Sequence, residues 1–318
     1  MRAVLINTTD EIGHHGCTLV NRQIDYYCNQ VGINIVERLS LNQNWNNVAD
    51  FDIALVNGEG SLHSSSKAAK RIIQAPEWAH KRKKKAILIN SIYQSNDETI
   101  DREIKKFDFI SVRDRYSQEQ LKKLGLDAMF VPDITLTWNV EPATLGDELL
   151  YNGSTRKQTR KRLYDLAKGH NVTYLPILAR PQRNAKRLRK FYLKQFLSYL
   201  TPSGLWRSRN RNAIAELDDF VTFLGNSKKG LVSGRFHMIT MAACLEIPFL
   251  AVSSNTYKIE ALLDDLDLTS RLVDISSLEN MNHASPASFT SAEIENIRRY
   301  RSQAQKLADE CFQKIRLL

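Results

Sequence analysis

Short apolar runs alternate with longer amphipathic stretches from the first residues of the chain onward. In the first half, runs rich in Val, Ile and Leu predict strands at 4–6, 33–36, 53–56, 87–89 and 109–112. Helical periodicity separates them at 15–31, 66–79, 98–106 and 115–124. Apolar runs without alternation are typical of strands that are buried on both faces. The pattern therefore predicts a parallel sheet between layers of helices.

The alternation of apolar runs and amphipathic stretches weakens after Val131-Pro132-Asp133 and then resumes. This break places a domain boundary near residue 140. The second half predicts strands at 149–151, 172–175, 230–232 and 248–252, and helices at 155–168, 213–225, 237–246 and 256–265. A long amphipathic helix is predicted at 291–316. We expect an N-terminal domain at 1–140, a C-terminal domain at 141–290, and a helix at 291–318 that packs back on the N-terminal domain.

Two Rossmann-like domains facing each other across a cleft describe a GT-B-like α/β architecture. In open α/β sheets, ligands bind beyond the carboxyl ends of the strands. The cleft is therefore the expected site, with the acceptor on the N-terminal domain and the donor on the C-terminal one.

Composition and charge narrow the class of partner. The chain has 318 residues and a net charge of +10. The segment 156–211 holds 16 Lys and Arg against the single acid Asp165. Such a block is either a solvated helix surface or a contact for phosphates on nucleotides, lipid carriers or anionic membranes. Its least patterned part, 178–211, carries no recognisable nucleic-acid motif, so we expect no nucleic-acid partner.

The four cysteines are scattered without CxxC spacing, which indicates neither a disulfide framework nor a zinc site. No apolar run approaches the roughly 20 residues that span a bilayer. These features predict a cytoplasmic protein, with peripheral contact at the inner face of the membrane through the basic block.

The first candidate for chemistry follows the strand 53–56. Asn57, Gly58, Glu59, Gly60 and His63 form a glycine-rich turn in which backbone N–H groups can approach a ligand. Glu59 and His63 can act as acid or base. The alternative is a plain strand-to-helix turn whose glycines only supply positive φ.

The second candidate is Ser233-Gly234-Arg235-Phe236-His237, which ends a strand and opens a helix. Arg235 offers a planar fork for a carboxylate or phosphate. His237 can donate to an anion or transfer a proton. A capping or packing histidine is the alternative, but the arginine and histidine together favour a functional site.

Two further motifs follow predicted strands. Arg113 leaves the strand 109–112, and Asp114 is a natural helix N-cap; an Arg113–Asp114 ion pair is the alternative to an anion contact. His14 and His15 follow the first strand. Because no third ligand stands at useful spacing, we expect polar contact with substrate or simple capping, and no metal.

The motifs, taken in their order along the chain, resemble those of the polysaccharide pyruvyl transferase family. The resemblance extends from residue 1 to about 268. The resemblance is carried by the turn ending in Ser61-Leu62, Ser111-Val112-Arg113-Asp114 with Ser117, Val131-Pro132-Asp133, Ser233-Gly234-Arg235-Phe236-His237, Ile247-Pro248 and Tyr257-Lys258-Ile259. It departs from the family in two loops: Asn57-Gly58-Glu59-Gly60 replaces a run of three glycines, and His14-His15-Gly16-Cys17 replaces a Gly-Asp dipeptide.

Members of that family resemble GT-B enzymes and transfer pyruvate from phosphoenolpyruvate to sugar hydroxyls in surface polysaccharides such as capsule and exopolysaccharide. The resemblance implies that Arg235 and His237 contact phosphoenolpyruvate, with Arg113 as a further anion ligand. We therefore expect His237 as the acid, Glu59 or His63 as the base, and no cofactor. The other residues assigned to donor binding are Ser233, Gly234, Lys258, Asn57, Gly58 and Gly60, and those assigned to a saccharide or lipid-linked acceptor are His14 and His15.

Two other interpretations fit the same residues. A glycosyltransferase would hold the diphosphate of a nucleotide sugar with Arg235, His237 and Lys258, and would use Glu59 as its base. A non-catalytic scaffold at the membrane surface would tolerate replacement of Glu59 and His237.

Overall fold

The computed structural model describes residues 1–8, 13–143, 146–178, 214, 216–227, 229–280 and 285–318. The chain forms two compact units. Unit 1 comprises Met1–Thr8, Val20–Trp138 and Arg299–Leu318. Unit 2 comprises Thr9–Leu19 and Asn139–Arg298.

Unit 1 contains a six-stranded parallel sheet in the order β2-β1-β3-β4-β5-β6. Its strands are β1 (Arg2–Ile6), β2 (Asn34–Leu39), β3 (Ile53–Glu59), β4 (Lys85–Ser91), β5 (Phe109–Val112) and β6 (Met129–Phe130). The helices between them are α1 (His15–Gln30), α2 (Lys67–Ile72), α3 (Ala75–His80), α4 (Glu98–Glu103) and α5 (Arg115–Lys123).

Both faces of this sheet are covered by apolar side chains. Val4 and Ile6 of β1 belong to one buried cluster, whereas Ala3 and Leu5 belong to another, because successive residues of a strand point to opposite faces. The second cluster also contains residues from the end of the chain, namely Ala308, Cys311, Phe312 and Ile315. The predicted α/β class with parallel strands buried on both faces is confirmed.

Unit 2 contains a four-stranded parallel sheet in the order β10-β9-β7-β8. Its strands are β7 (Leu149–Ser154), β8 (Thr173–Tyr174), β9 (Gly230–Gly234) and β10 (Phe249–Ala251). Its helices are α6 (Lys157–Gly169), α7 (Leu217–Gly225), α8 (Phe236–Cys244), α9 (Lys258–Asp265) and α10 (Ile275–Asn280), and α11 (Ser291–Leu317) runs on into unit 1. Buried Tyr151, Leu163, Val232 and Leu278 share one apolar cluster.

The elements differ from the expected ones in a few places. The helix predicted at 66–79 is two helices, because Pro76 lies in the first turn of α3 and cannot donate a backbone hydrogen bond to the preceding turn. The short strand β6 and the helix α10 were not predicted. The strand predicted at 53–56 continues to Glu59, so Asn57 and Gly58 lie inside it.

The units also divide the chain differently from the expected boundaries. The described residues 13–19 belong to unit 2, although they follow the first strand of unit 1. Helix α11 is shared, since its residues up to Arg298 belong to unit 2 and those from Arg299 onward to unit 1. The basic stretch 178–211 lies outside the described residues except for Leu178. The GT-B-like arrangement stays a prediction.

None of the helices in the described part of the chain is both long and apolar enough to cross a membrane.

Candidate active site

The sheet of unit 2 has a switch point between β7 and β9, where the direction of strand succession reverses. Ligands of open parallel sheets bind beyond the carboxyl ends of the strands at such a point. β7 ends at Ser154 and β9 at Gly234, and these two residues are partners in the pairing of the strands. A Cβ on Gly234 would lie 2.8 Å from the Ser154 Cβ, so glycine is required for the two strand ends to come this close.

Ser233 fixes the backbone of this edge. Its buried Oγ donates to Asn152 Oδ1 at 3.1 Å and accepts from the Arg235 N–H at 3.0 Å. The Asn152 amide donates to the Leu175 carbonyl beyond β8. Ser233 and Gly234 therefore position Arg235, and their contact with the donor stays a prediction.

Arg235 is the N-cap residue of α8, and its side chain is half-buried. Burial lowers the pKa of its guanidinium; nearby Tyr174 opposes that change, while the positive charge of Arg160 adds to it. Within the described part of the chain, no carboxylate forms an ion pair with Arg235 or Arg160. An anionic ligand would relieve the repulsion between two uncompensated guanidinium groups.

Arg160 and Tyr174 were missed by sequence reasoning. They meet over Gly153 of β7, where an added Cβ would lie 2.5 Å from Tyr174 Oη and 3.1 Å from Arg160 Cγ. Burial raises the pKa of the Tyr174 hydroxyl, against the attraction of Arg235 and Arg160. The sequence did contain a signal for this sheet edge, because Asn152-Gly153-Ser154-Thr155 follows an apolar run just as 233–237 does. That signal locates the end of β7 but neither Arg160 nor Tyr174.

Lys258 adds a third cation close to the carboxyl ends of β10 and β7. It is the first residue of α9 and is 9% exposed. Its Nζ donates to Asn255 Oδ1 at 3.1 Å, and Thr155, directly after β7, donates from Oγ1 to the same oxygen at 3.1 Å. This network holds the ammonium group of Lys258 beside the strand ends.

His237 lies in the first turn of α8 and is 8% exposed. The ring of His14 packs against it edge to face, with 5.9 Å between ring centroids. Gly16 makes this approach possible, since a Cβ there would lie 2.4 Å from the His237 Cβ and Nδ1. The loop after the first strand therefore meets the Arg235 and His237 element within unit 2.

This placement corrects the assignment of His14 and His15 to the N-terminal domain. His15 is 2% exposed, stacks on Phe220 at 4.1 Å between ring centroids, and has its Nε2 2.9 Å from the Ile214 carbonyl. These contacts give His15 a packing role, and its contact with an acceptor stays a prediction. Burial, His237 and Arg235 lower the pKa of His14 to about 3, so its ring is neutral at pH 7.

No third metal ligand was predicted beside the histidine pair, but the fold brings Cys17 and His237 together with His14. Ligand atoms of His14, Cys17 and His237 all lie within 4.8 Å of one another. His237 was not recognisable as a partner because 223 positions of sequence separate it from His14.

Unit 1 has its own switch point, between β1 and β3. Asn7, directly after β1, donates from Nδ2 to the Asn57 carbonyl at 2.6 Å. Asn57 Nδ2 donates in turn to Glu59 Oε1 at 3.0 Å. The Glu59 carboxylate is 9% exposed and is held at the carboxyl edge of this sheet, where a general base could act.

The glycine-rich turn differs from the expected one. Positive φ occurs at Glu59 itself (41°), a conformation that non-glycine residues rarely adopt. Gly58 is needed for a different reason, because a Cβ there would lie 2.3 Å from the Ser91 Oγ of β4. Asn57 is fully buried inside β3. Asn57 and Gly58 therefore support Glu59, Gly60 follows the strand end, and donor contact by these three residues stays a prediction.

His63 lies between β3 and α2, with its Nδ1 3.4 Å from the Ser64 Oγ. The helix α2 starts only at Lys67, with Ser66 as its N-cap. The glycines at 58 and 60 are therefore not at a helix N-terminus, and the predicted anion site there is not supported.

Arg113 forms a buried ion pair, but with Asp133 and not with Asp114. Arg113 Nη1 lies 2.8 Å from Asp133 Oδ2, and the two side chains are 2% and 1% exposed. Asp114 accepts from the Ser117 N–H at 2.7 Å and caps α5, as predicted. Asp133 therefore pairs with Arg113 within unit 1, and the contact of Arg113 with a donor anion stays a prediction.

The protein is of the α/β class. At the carboxyl ends of the parallel strands of unit 2 it carries the cationic side chains Arg235, Arg160 and Lys258, which suit an anionic ligand. The family model for polysaccharide pyruvyl transferase matches residues 14–256. The chain therefore belongs to the polysaccharide pyruvyl transferase family and is a transferase enzyme, which confirms the resemblance seen in the motifs.

Solved structures show similarity at low sequence identity. A functionally uncharacterised protein from Klebsiella pneumoniae is 13% identical with a TM-score of 0.52, over 86% of this chain and 92% of that one. This likeness concerns the fold alone. An O-GlcNAc transferase variant from Thermobaculum terrenum is 8% identical with a TM-score of 0.47, over 100% of this chain and 67% of that one. The search of curated proteins gave no match.

Proposed function

We propose that this enzyme transfers pyruvate from phosphoenolpyruvate to two hydroxyls of one sugar, forming a cyclic ketal during synthesis of a surface polysaccharide. The observation that carries the proposal is the pair of guanidinium groups of Arg235 and Arg160, which no described carboxylate neutralises. Phosphoenolpyruvate carries both a carboxylate and a phosphate. Each can accept two parallel hydrogen bonds from a guanidinium group.

The reaction balances without a cofactor. The methylene carbon of phosphoenolpyruvate gains a proton and becomes a methyl group, while one sugar hydroxyl adds to the neighbouring carbon. The second hydroxyl then displaces the phosphate at that carbon and closes the ketal. Of the two hydroxyl protons, one balances the new methyl hydrogen and the other leaves with the phosphate.

His237 is our candidate for the acid that protonates the methylene carbon. It stands two residues after Arg235, at the start of α8, and the charges of both residues act on His14, which places them close to the same point. Lys258, near the carboxyl end of β10, is our candidate for a further cation that binds the donor. Glu59, oriented by Asn57 at 3.0 Å, is our candidate for the base that deprotonates the acceptor hydroxyl, with His63 as the second candidate.

The acceptor is a saccharide, free or attached to a lipid phosphate. Cytoplasmic location and peripheral contact with the membrane through the basic stretch 178–211 remain part of the proposal. The stretch contains residues such as Arg183, Arg187 and Arg189, which would be attracted to anionic lipids.

Isothermal titration with phosphoenolpyruvate tests the donor site directly. The wild-type protein should bind it saturably, and Arg235→Ala should weaken binding by roughly 10–100-fold, as expected for loss of hydrogen bonds to a charged group. Arg162→Ala is the matched control, because Arg162 lies on α6 beside Arg160 but is exposed and paired with Glu279 at 2.7 Å. Equal binding by all three proteins would overturn the site.

The donor class and the base are tested by turnover. Phosphate release from phosphoenolpyruvate should depend on a saccharide acceptor, and nucleotide sugars should give no product. Glu59→Gln should lower kcat by about 10²–10⁴-fold with little change in donor KM, because it removes a base without touching the anion site. Turnover with a nucleotide sugar alone would establish the glycosyltransferase instead, and full kcat in Glu59→Gln would exclude Glu59 as the base.

A further inference from the structure

We propose that His14, Cys17 and His237 bind a borderline-soft divalent cation such as Zn²⁺, and that this ion inhibits the enzyme. The three residues come from two places far apart in the sequence, the start of α1 and the start of α8. Their ligand atoms lie within 4.8 Å of one another, and no carboxylate belongs to this group. The site is additional to the transfer reaction, which uses His237 alone among the three.

The chemistry of the donors selects the cation. Imidazole nitrogen and thiolate sulfur are the ligands that Zn²⁺ prefers, whereas Mg²⁺ and Ca²⁺ prefer oxygen. Three protein ligands leave one tetrahedral position open for water or an anion. Binding converts the Cys17 thiol to a thiolate and releases its proton to solvent.

The local packing already holds the three side chains together. Cys17 is 6% exposed, and its backbone N–H donates to His14 Nδ1 at 3.3 Å. Gly16 brings this segment against His237 at a distance that any Cβ would prevent. A cation therefore needs only small side-chain movements to meet all three ligands.

Arg235 limits the affinity of the site. Its guanidinium interacts electrostatically with both His14 and Cys17, so it repels a bound cation while favouring the thiolate. We therefore expect reversible binding that is weaker than in a structural zinc site and is strengthened when an anion occupies Arg235.

The consequence for the reaction rests on the proposed role of His237, whereas the binding itself does not. A metal on the His237 ring removes the nitrogen that would carry the proton to phosphoenolpyruvate. Zn²⁺ should therefore inhibit turnover, and a chelator should restore it.

Binding is tested on the resting protein with Co²⁺, which reports its ligands by absorption, and by competition with Zn²⁺. The wild-type protein should show a thiolate-to-cobalt charge-transfer band at one ion per chain, and Zn²⁺ should abolish it. Cys17→Ser should lose the band and weaken Zn²⁺ binding by more than the roughly 10–100-fold lost when only a hydrogen-bond partner of a ligand is removed. Cys28→Ser is the matched control, since Cys28 is a buried thiol on the same helix.

His14→Ala provides a second test that leaves the thiol in place, and circular dichroism checks that each variant is folded. It should also weaken Zn²⁺ binding, and both variants should keep the wild-type spectrum without metal. Absence of the sulfur band in wild-type protein at saturating Co²⁺, or its persistence in folded Cys17→Ser, would overturn the site. A band that appears without inhibition of turnover would leave the metal site standing and would contradict the proton-transfer role of His237.

Discussion

Single glycines set the spacing of the candidate site. Gly16, Gly58 and Gly234 have no positive φ, but each occupies a place where a Cβ would lie less than 3.0 Å from a neighbouring side chain. They bring His237, Ser91 and Ser154 within contact of the opposing backbone. At these three positions glycine is needed because its backbone lies close to a neighbouring side chain, and not because a turn requires positive φ.

Gly16→Ala tests this requirement where it bears on His237. The added methyl group would overlap the His237 ring, and overpacking of this kind costs about 1–3 kcal/mol of unfolding free energy. Gly169→Ala is the control: no atom lies within 4 Å of an added Cβ there, at the last residue of α6. Urea denaturation should show destabilisation for Gly16→Ala and none for Gly169→Ala. Equal stabilities would show that the contact is easily relaxed.

The Arg113–Asp133 pair is the other residue-scale feature with a large expected energy. Asp133→Asn leaves the Arg113 charge buried without its partner, which costs about 3–5 kcal/mol of unfolding free energy. Asp165→Asn breaks an exposed ion pair, in which Lys161 Nζ lies 2.6 Å from Asp165 Oδ2. This change should cost no more than about 0.5 kcal/mol of unfolding free energy. Denaturation of both variants measures the difference. Similar small costs would mean that water reaches Arg113.

At the scale of elements, the ends of helices are fixed by ion pairs as well as by caps. Arg271 forms two hydrogen bonds to Glu293, Nε to Oε1 at 2.7 Å and Nη2 to Oε2 at 2.8 Å. Glu293 Oε2 also accepts from the Thr290 N–H at 2.7 Å, and the Glu293 N–H donates to Thr290 Oγ1 at 3.2 Å. This reciprocal capping box, tied to Arg271, starts α11 within unit 2.

The ion pair predicts a pH dependence of stability. The hydrogen bonds from Arg271 lower the pKa of Glu293 to about 2, below its ordinary value of 4.5. A lowered pKa in the folded state stabilises the protein above the unfolded pKa, and that contribution is lost as the pH falls toward the folded pKa. Glu293→Gln should therefore be less stable than wild type by about 1–3 kcal/mol at pH 7.

The difference in unfolding free energy should stay constant down to about pH 5 and shrink between about pH 5 and pH 2. Urea denaturation at a series of pH values measures it. Glu279→Gln, in the exposed pair with Arg162, serves as the control and should show the smaller change. A difference between wild type and Glu293→Gln that does not vary with pH would contradict the pairing.

At the scale of the whole molecule, local patterns predicted what depends on neighbours in the sequence. Apolar runs such as Ile53–Val56 located the strands, and strand ends located Arg235, His237 and Glu59. Contacts between distant segments could not be read in this way. Asp133 as the partner of Arg113, Arg160 beside Arg235, and Cys17 beside His237 all depend on how strands and helices are arranged in space.

The same limit applies to the segment 13–19. It follows β1 in sequence, so local reasoning assigned it to the first domain, whereas the contacts of His15 and Gly16 belong to unit 2. The motif Ser233–His237 was more predictable, because its strand, its glycine and its helix start are consecutive. Sites formed by one strand end are thus visible in a sequence, and sites formed by several are not.

The proposed reaction is tested most directly by turnover in deuterated water, with phosphoenolpyruvate and a saccharide acceptor identified by phosphate release. Pyruvyl transfer must protonate the methylene carbon of the donor from a group that exchanges with solvent. We therefore expect solvent deuterium on the ketal methyl group of the product, detected by mass spectrometry, and one phosphate released for each ketal formed. A glycosylated product that carries no carbon-bound deuterium and appears with a nucleoside diphosphate would contradict the account.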